Sequence, residues 1–285
     1  MTIQDNRAVR WWQWPTVLSL DAPLVALAWQ AQLAQAARVR LGWVEPAILG
    51  ASVWMAYAAD RWIEGWRLAP DQVRTQRHAF YQQWRWPLAA VWFAVFASSV
   101  ALALSHLTRR EFDGGLLLLA AVLAYLLSHQ LIHRLNRWRA PKEVCVAGLL
   151  AAGAALFLAT APGADLPALT APLGLFALLC FANCALISVW EYEVDMSHGQ
   201  TSLAHQFAQG AALGRTVPWV VMAISVAVGI FQPTARAAAG CALASALLLS
   251  LVDFFEPRLG RRGARVLADF VLLTPFVSLF LHGSA

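Results

Sequence analysis

The chain has 285 residues, 60% of them hydrophobic and 13% charged, with a formal net charge of +5 and a mean hydropathy of +0.57. Soluble domains carry about 25% charged residues, so this composition excludes disorder, a collagen-like repeat and an ordinary single soluble domain. All 21 basic residues are Arg except Lys142, and none forms the long basic run of a nucleic-acid arm.

The N-terminal segment lacks an apolar core followed by a small-residue cleavage site, so it is not read as a removable signal peptide. Apolar stretches then recur at 16–37, 42–58, 87–106, 115–133, 142–161, 168–189, 213–231, 235–254 and 266–282. Each approaches the roughly 20 residues that a spanning helix needs. They are continuous Ala and Leu runs without the alternation of barrel strands, so helices are expected. The fold class expected is all-α: a polytopic membrane protein of about nine transmembrane helices, with residues 1–285 forming one domain. Cys145, Cys180, Cys184 and Cys241 all lie inside apolar stretches and read as reduced thiols packed as small hydrophobes.

Nine spans put the N-terminus and the loops after even-numbered helices on one side of the membrane. Only Arg38, Arg40, Arg109, Arg110 and Arg236 fall on the other side, so the positive-inside rule makes the first side cytoplasmic. Trp11, Trp12, Trp14, Trp62, Trp66, Trp84, Trp86, Trp138 and Trp190 fall near that same face, where an indole keeps its ring buried and its N–H wet.

Two cytoplasmic segments stand out. The second stretch ends in Ala56-Tyr57-Ala58-Ala59-Asp60-Arg61-Trp62-Ile63-Glu64-Gly65-Trp66-Arg67, and the polar loop beyond it adds Arg74, Arg77 and His78. Asp60 and Glu64 are four apart and share a helix face. The sixth stretch ends in Trp190-Glu191-Tyr192-Glu193-Val194-Asp195, and Glu191 and Asp195 repeat that spacing. Solvated helix ends are one explanation. Acidic residues near a helix C-terminus oppose its dipole, however. Two matched carboxylate pairs suit a hard divalent cation such as Mg²⁺, held with phosphate oxygens. The neighbouring arginines suit the remaining phosphate charge. Spacing alone leaves both explanations open.

Other candidates each have a plainer alternative. Asp21 is an acid within the first stretch, a functional candidate by default, yet Pro23 beside it also allows a simple cap. Asn183, about two turns before Glu191, either reaches a cavity or joins helices by hydrogen bonding. His129 and His133 have metal-ligand spacing but no third ligand, and read as interfacial side chains. His78 and His198 read first as loop histidines. In Pro141-Lys142-Glu143, Pro141 and Glu143 suit a helix start, while Lys142 is either a positive-inside residue or a contact of the acidic segments. Cys180 and Cys184 read as structural, and Gly148 and Gly153 as close-packing positions.

On these residues the chain resembles the UbiA superfamily of intramembrane prenyltransferases across most of its length. The run Glu191-x-x-x-Asp195-x-x-x-Gly199-x-x-Ser202-Leu203-Ala204 is similar to the family's second Asp-rich motif and its continuation. The first motif departs from the family's Asn-x-x-x-Asp-x-x-x-Asp, since those places hold Ala56, Asp60 and Glu64. The resemblance implies nine helices around a central cavity that opens to the cytoplasm. It implies a Mg²⁺-dependent prenyltransferase acting on an isoprenyl diphosphate, with an aromatic or other lipophilic acceptor. Asp60, Glu64, Glu191 and Asp195 would be the catalytic and metal-binding residues. Arg61, Arg67, Arg77 and Lys142 would contact phosphate, with Asn183 and Asp21 as further substrate contacts. The partners expected are these substrates and membrane lipid, with no nucleic acid, and the location expected is the bacterial inner membrane. A terpene cyclase on the same scaffold and a non-catalytic isoprenoid or quinone binder are the alternatives. A transporter fits less well, because broken helices at mid-membrane are its mark and the acidic pairs here gather at one face.

Overall fold

A computed structural model describes residues 9–67, 75–128, 141–197 and 202–283, without the side chains of Glu64, Arg67, Ser197 and residues 281–283. Among the described residues the regular structure is entirely helical: α1 Trp14–Val17, α2 Asp21–Ala36, α3 Val44–Arg67, α4 Gln76–Gln83, α5 Arg85–His106, α6 Arg109–Leu127, α7 Lys142–Thr160, α8 Leu166–Trp190, α9 Tyr192–Ser197, α10 Leu203–Gln206, α11 Gly210–Phe231, α12 Arg236–Phe270 and α13 Thr274–Gly283. Five helical runs among them are long and apolar enough to cross a membrane: α5, α7, α8, α11 and Pro233–Phe280. Counting α1 and α2 as one bent span makes six, against the nine expected. Two causes account for the difference. α3 ends in Asp60, Arg61, Glu64 and Arg67, and α6 opens on Arg109, Arg110, Glu111 and Asp113, so neither passes as uniformly apolar. The stretches 235–254 and 266–282 form one helical run, broken where Gly260 takes φ 70°.

Local chemistry sets the helix ends. Thr108 and Glu111 form a reciprocal capping box at the start of α6. Asp165 caps α8 through the Ala168 N–H, and Pro167 stands in its first turn. The break in α12 follows Pro257, and the left-handed conformation at Gly260 is one that a side chain rarely adopts.

α8 is the spine of the bundle, packing on α2, α7, α11 and α12. Its close approach to α11 needs Gly214, where an added Cβ would lie 2.9 Å from a Val189 methyl and 3.1 Å from the Ala185 carbonyl. α5 and α6 lie at the periphery: Ser99 is the one buried residue of α5, and α6 buries none. Their apolar side chains suit lipid.

The entry to α2 is sharply bent. Trp11–Val17 and Asp21–Ala36 meet at 76°, with Ser19 at φ 61°. A serine in that conformation costs about 1–3 kcal/mol, and a set of long-range bonds holds it there. Arg61 donates to the Thr16 carbonyl at 2.5 Å and to Ser19 Oγ at 2.6 Å. Ser19 Oγ also pairs with the Tyr81 hydroxyl at 2.8 Å, and the Trp54 indole donates to the Leu18 carbonyl at 3.0 Å.

Trp29 fastens α2 to the rest. It is fully buried, stacks on Phe176 of α8 at 5.0 Å, and donates its indole N–H to the Leu272 carbonyl at 3.0 Å. Trp29→Ala should therefore cost about 3–5 kcal/mol, read as a large drop in the thermal unfolding midpoint of the detergent-solubilised protein. A change under about 1 kcal/mol would show that this contact does not hold the bundle together.

Candidate functional site

Residues of α2, α3, α4, α6, α7, α8, α9 and α12 line one cavity of about 180 Å³. Eight of the ten expected site residues meet there: Asp21, Asp60, Arg61, Arg77, Lys142, Asn183, Glu191 and Asp195. The side chains of Glu64 and Arg67 lie outside the described residues, as do His129, His133, His198 and Gly199. His78 is buried with its Nδ1 2.6 Å from Thr75 Oγ1, at the N-cap of α4. Cys180 and Cys184, expected to be structural, do line the cavity, and both are free thiols.

Glu191 is the electrostatic centre. It ends α8, and its Oε2 accepts from Arg265 at 2.9 Å and from Arg77 at 3.2 Å. Burial alone would raise its pKa. Arg265, Arg77 and Lys142 outweigh that effect and hold the carboxyl at about 2. Lys142, at the start of α7, pairs with Asp195 of α9 at 3.3 Å.

A second polar group lies deeper. Asn183 Nδ2 donates to Asp269 Oδ1 at 2.9 Å, and Asp21 lines the same cavity. Tyr57 and Tyr125 add phenol rings to the wall, and the Arg61 guanidinium lies 6.0 Å from the Tyr57 ring centre.

Two of the expected residues have contacts that their sequence positions did not show. Arg61 was expected on phosphate; it lines the cavity, and its Nη1 donates to the α1–α2 bend. Glu191 was expected on a metal; its Oε2 accepts from two guanidinium groups. Sequence reasoning also missed Arg265, Asp269, Tyr57 and Tyr125. The signal for Asp269 was the one that singled out Asp21, an acid within an apolar stretch. Glu143, taken for a helix-dipole residue, is buried and accepts the Leu203 N–H at 3.0 Å, so it pins the Ser202-Leu203-Ala204 segment beside the cavity.

The donor set is tested against Mg²⁺ by its chemistry. Among the described residues no group of three His, Cys, Asp or Glu side chains is placed to hold a metal ion. Mg²⁺ is commonly held by one or two carboxylates together with substrate phosphate oxygens, and Asp60 and Asp195 meet that smaller requirement. Glu191 Oε2 is taken by Arg77 and Arg265, as Asp195 Oδ2 is by Lys142.

Among solved structures, the chain is similar to the apo structure of a UbiA homolog from Aeropyrum pernix K1, with a TM-score of 0.56 and 18% sequence identity. The likeness covers 97% of this chain and 100% of that one. This chain has the UbiA fold. No protein-family model and no curated protein matches it. A common fold at this identity leaves function to the site itself, so the particular side chains lining this UbiA-type cavity carry the functional argument.

Glu191→Gln removes the anion between two partly buried cations and should destabilise the bundle by on the order of 3 kcal/mol. The wild-type carboxylate contributes its full stability above its ordinary pKa of 4.5 and loses it as pH falls through about 2. Thermal unfolding of wild type should therefore decline between those two pH values, and the Glu191→Gln variant should lack that part of the decline. Parallel curves for the two proteins would remove Glu191 from this role.

Proposed function

We propose that the cavity binds the diphosphate head of an isoprenyl diphosphate and that the protein is a Mg²⁺-dependent prenyltransferase using a lipophilic acceptor. The observation that supports this reading is the meeting of Arg77, Lys142 and Arg265 with the carboxylates Asp60 and Asp195 in one cavity of a UbiA-type bundle. Guanidinium groups match phosphate oxygens with forked donors, and a lysine adds a compact charge. Val25, Val146, Leu150, Ile187 and Leu272 line the remainder and suit an isoprenoid chain.

Asp60 and Asp195 are the side chains fitted to hold Mg²⁺, and spacing keeps Glu64 with them. When bound beside phosphate, Mg²⁺ would neutralise charge that develops on the leaving diphosphate. Glu191 sets the positions of Arg77 and Arg265, so that both guanidiniums are in place before a phosphate arrives. Arg67 remains a phosphate contact on its sequence position alone. The positive-inside count supports a cytoplasmic orientation for this end of the bundle, and the membrane proposed is a bacterial inner membrane.

A second reading, an isoprenoid-diphosphate binder without turnover, draws on the capture of Glu191 by arginines and on the lack of a three-donor metal cluster among the described residues. Turnover separates the two. Purified protein with Mg²⁺ and farnesyl diphosphate should release diphosphate when a lipophilic aromatic acceptor is added. Asp60→Ala and Asp195→Ala should each slow that release by about 100-fold or more. Tight binding with no release would establish the binder, and acceptor-independent release with a cyclic product would establish a lyase. Unchanged rates in both alanine variants would place the chemistry elsewhere.

A further inference from the structure

Outside the cavity, a group of aromatic and cationic side chains gathers where α3 ends and α5 begins. α3 carries Trp62 and Trp66 one turn apart, and their ring centres lie 5.2 Å from each other. α5 opens on Arg85, Trp86 and Pro87. Trp86 meets Trp66 edge to face at 6.2 Å, and the Arg85 guanidinium carbon lies 5.7 Å from the centre of each of those two rings. The Trp62 indole N–H is spent on the Arg85 carbonyl at 3.1 Å, which fixes the two helix ends to each other.

The group faces outward. Trp66 is 54% exposed and Trp86 63%, and Arg85 is exposed beside them. A cation–π contact holds a guanidinium through its face, so the N–H groups at its edge stay available. Among the described residues no carboxylate or carbonyl takes them, and the indole N–H groups of Trp66 and Trp86 have no acceptor either. What remains for a ligand is a seated positive charge with donors around it, which fits an anion. A quaternary ammonium would have to share the rings with a resident cation that repels it.

The place of the group in the bundle decides the kind of anion. α5 is a peripheral helix, long and apolar enough to cross a membrane, with Ser99 its one buried residue. Indoles favour the headgroup layer, so Trp66 and Trp86 set Arg85 at that depth. Val91, Phe93 and Phe96 of α5 are exposed beyond it. From Arg85 to Phe96 the helix rises about 16 Å, roughly half of the ~30 Å hydrocarbon core and so the depth of one leaflet. Trp92 donates to the Met55 carbonyl at 3.0 Å and stacks on Phe96 at 5.5 Å, which ties this stretch of α5 to α3. A phospholipid would place its phosphate on Arg85 and its chains along α5. Free phosphate would meet the charge alone, on a side open to water and salt.

We propose that Trp66, Arg85 and Trp86 form a binding site for an anionic phospholipid, with the phosphate on the Arg85 guanidinium and an acyl chain along the outer face of α5. None of the three residues lines the cavity, so the site stands apart from the prenyl-transfer reading.

The test uses the purified full-length protein in a non-ionic detergent, titrated with phosphatidylglycerol or with phosphatidylcholine of the same acyl chains, and counts bound lipid by native mass spectrometry. Wild type should bind phosphatidylglycerol at least about 10-fold more tightly, the effect of one charge-assisted hydrogen bond. Any basic residue near an anionic surface gains about 5-fold without a site, so two variants of equal charge are compared. Arg85→Gln should bring the two lipids to within about 2-fold of each other. Arg110→Gln, at an exposed position on α6 beyond the other end of α5, should leave the preference at its wild-type value. Trp66→Leu and Trp86→Leu keep the charge but remove its seat, and each should weaken phosphatidylglycerol severalfold. Millimolar inorganic phosphate should leave the bound lipid in place. Equal binding of the two lipids by wild type would overturn the proposal, as would equal losses in Arg85→Gln and Arg110→Gln. Displacement by inorganic phosphate would overturn the lipid as occupant.

Discussion

Charge is costly inside a lipid-embedded bundle, and Glu191 is where this chain meets that cost. One carboxylate oxygen takes bonds from Arg77 and Arg265, which belong to helices far apart in sequence. Breaking such a buried set leaves charges with no solvent to relieve them. The two arginines are thereby fixed at the cavity, and so are the helices that carry them. Stability and the charge of the cavity are consequently coupled at this point: the carboxylate that holds α4 and α12 together also fixes where their guanidinium groups stand in the cavity wall.

The bundle is shaped around that centre by a few local breaks. α8 ends at Glu191, and Trp190 just before it donates to Asp253 of α12 at 2.8 Å, so the end of the spine is anchored on both sides. The left-handed Gly260 turns the chain between Asp253 and Arg265, which lets one helical run offer a partner to Trp190 and another to Glu191. At the other edge, the bend at Ser19 sets Asp21 at the start of α2, facing the cavity. Arg61 stabilises that bend with two short bonds. A residue first expected to touch substrate thus shapes the wall that a substrate would touch.

How much of this was legible in the sequence follows from the range of each interaction. Helices occupy the apolar stretches because burial in lipid acts on every residue of a run. The paired carboxylates were visible because i, i+4 spacing is local, and Asp60, Glu191 and Asp195 do share a cavity. Arg265 was read only as a topology charge, since its partner Glu191 lies 74 positions away. Asp269 was overlooked although an acid in an apolar run is itself a signal. The strained Ser19 left no trace at all: nothing near it in the chain calls for positive φ, and what holds it comes from Arg61, 42 positions on, and Tyr81, 62 positions on.

The same distribution of charge gives the cavity a direction. Around Glu191 the cavity is lined by the cations Arg77, Arg265 and Lys142, with Asp60 and Asp195 beside them. Around Asn183 it is lined by the carboxylates Asp21 and Asp269. An anion is stabilised by the first set and repelled by the second. A cavity of this polarity would orient an anionic ligand by charge alone. Arg265 and Asp269 share one turn of α12, so the boundary between the two regions is about 6 Å thick. The direction of the field along the cavity thus follows from the positions of a few side chains on α2, α4, α7 and α12.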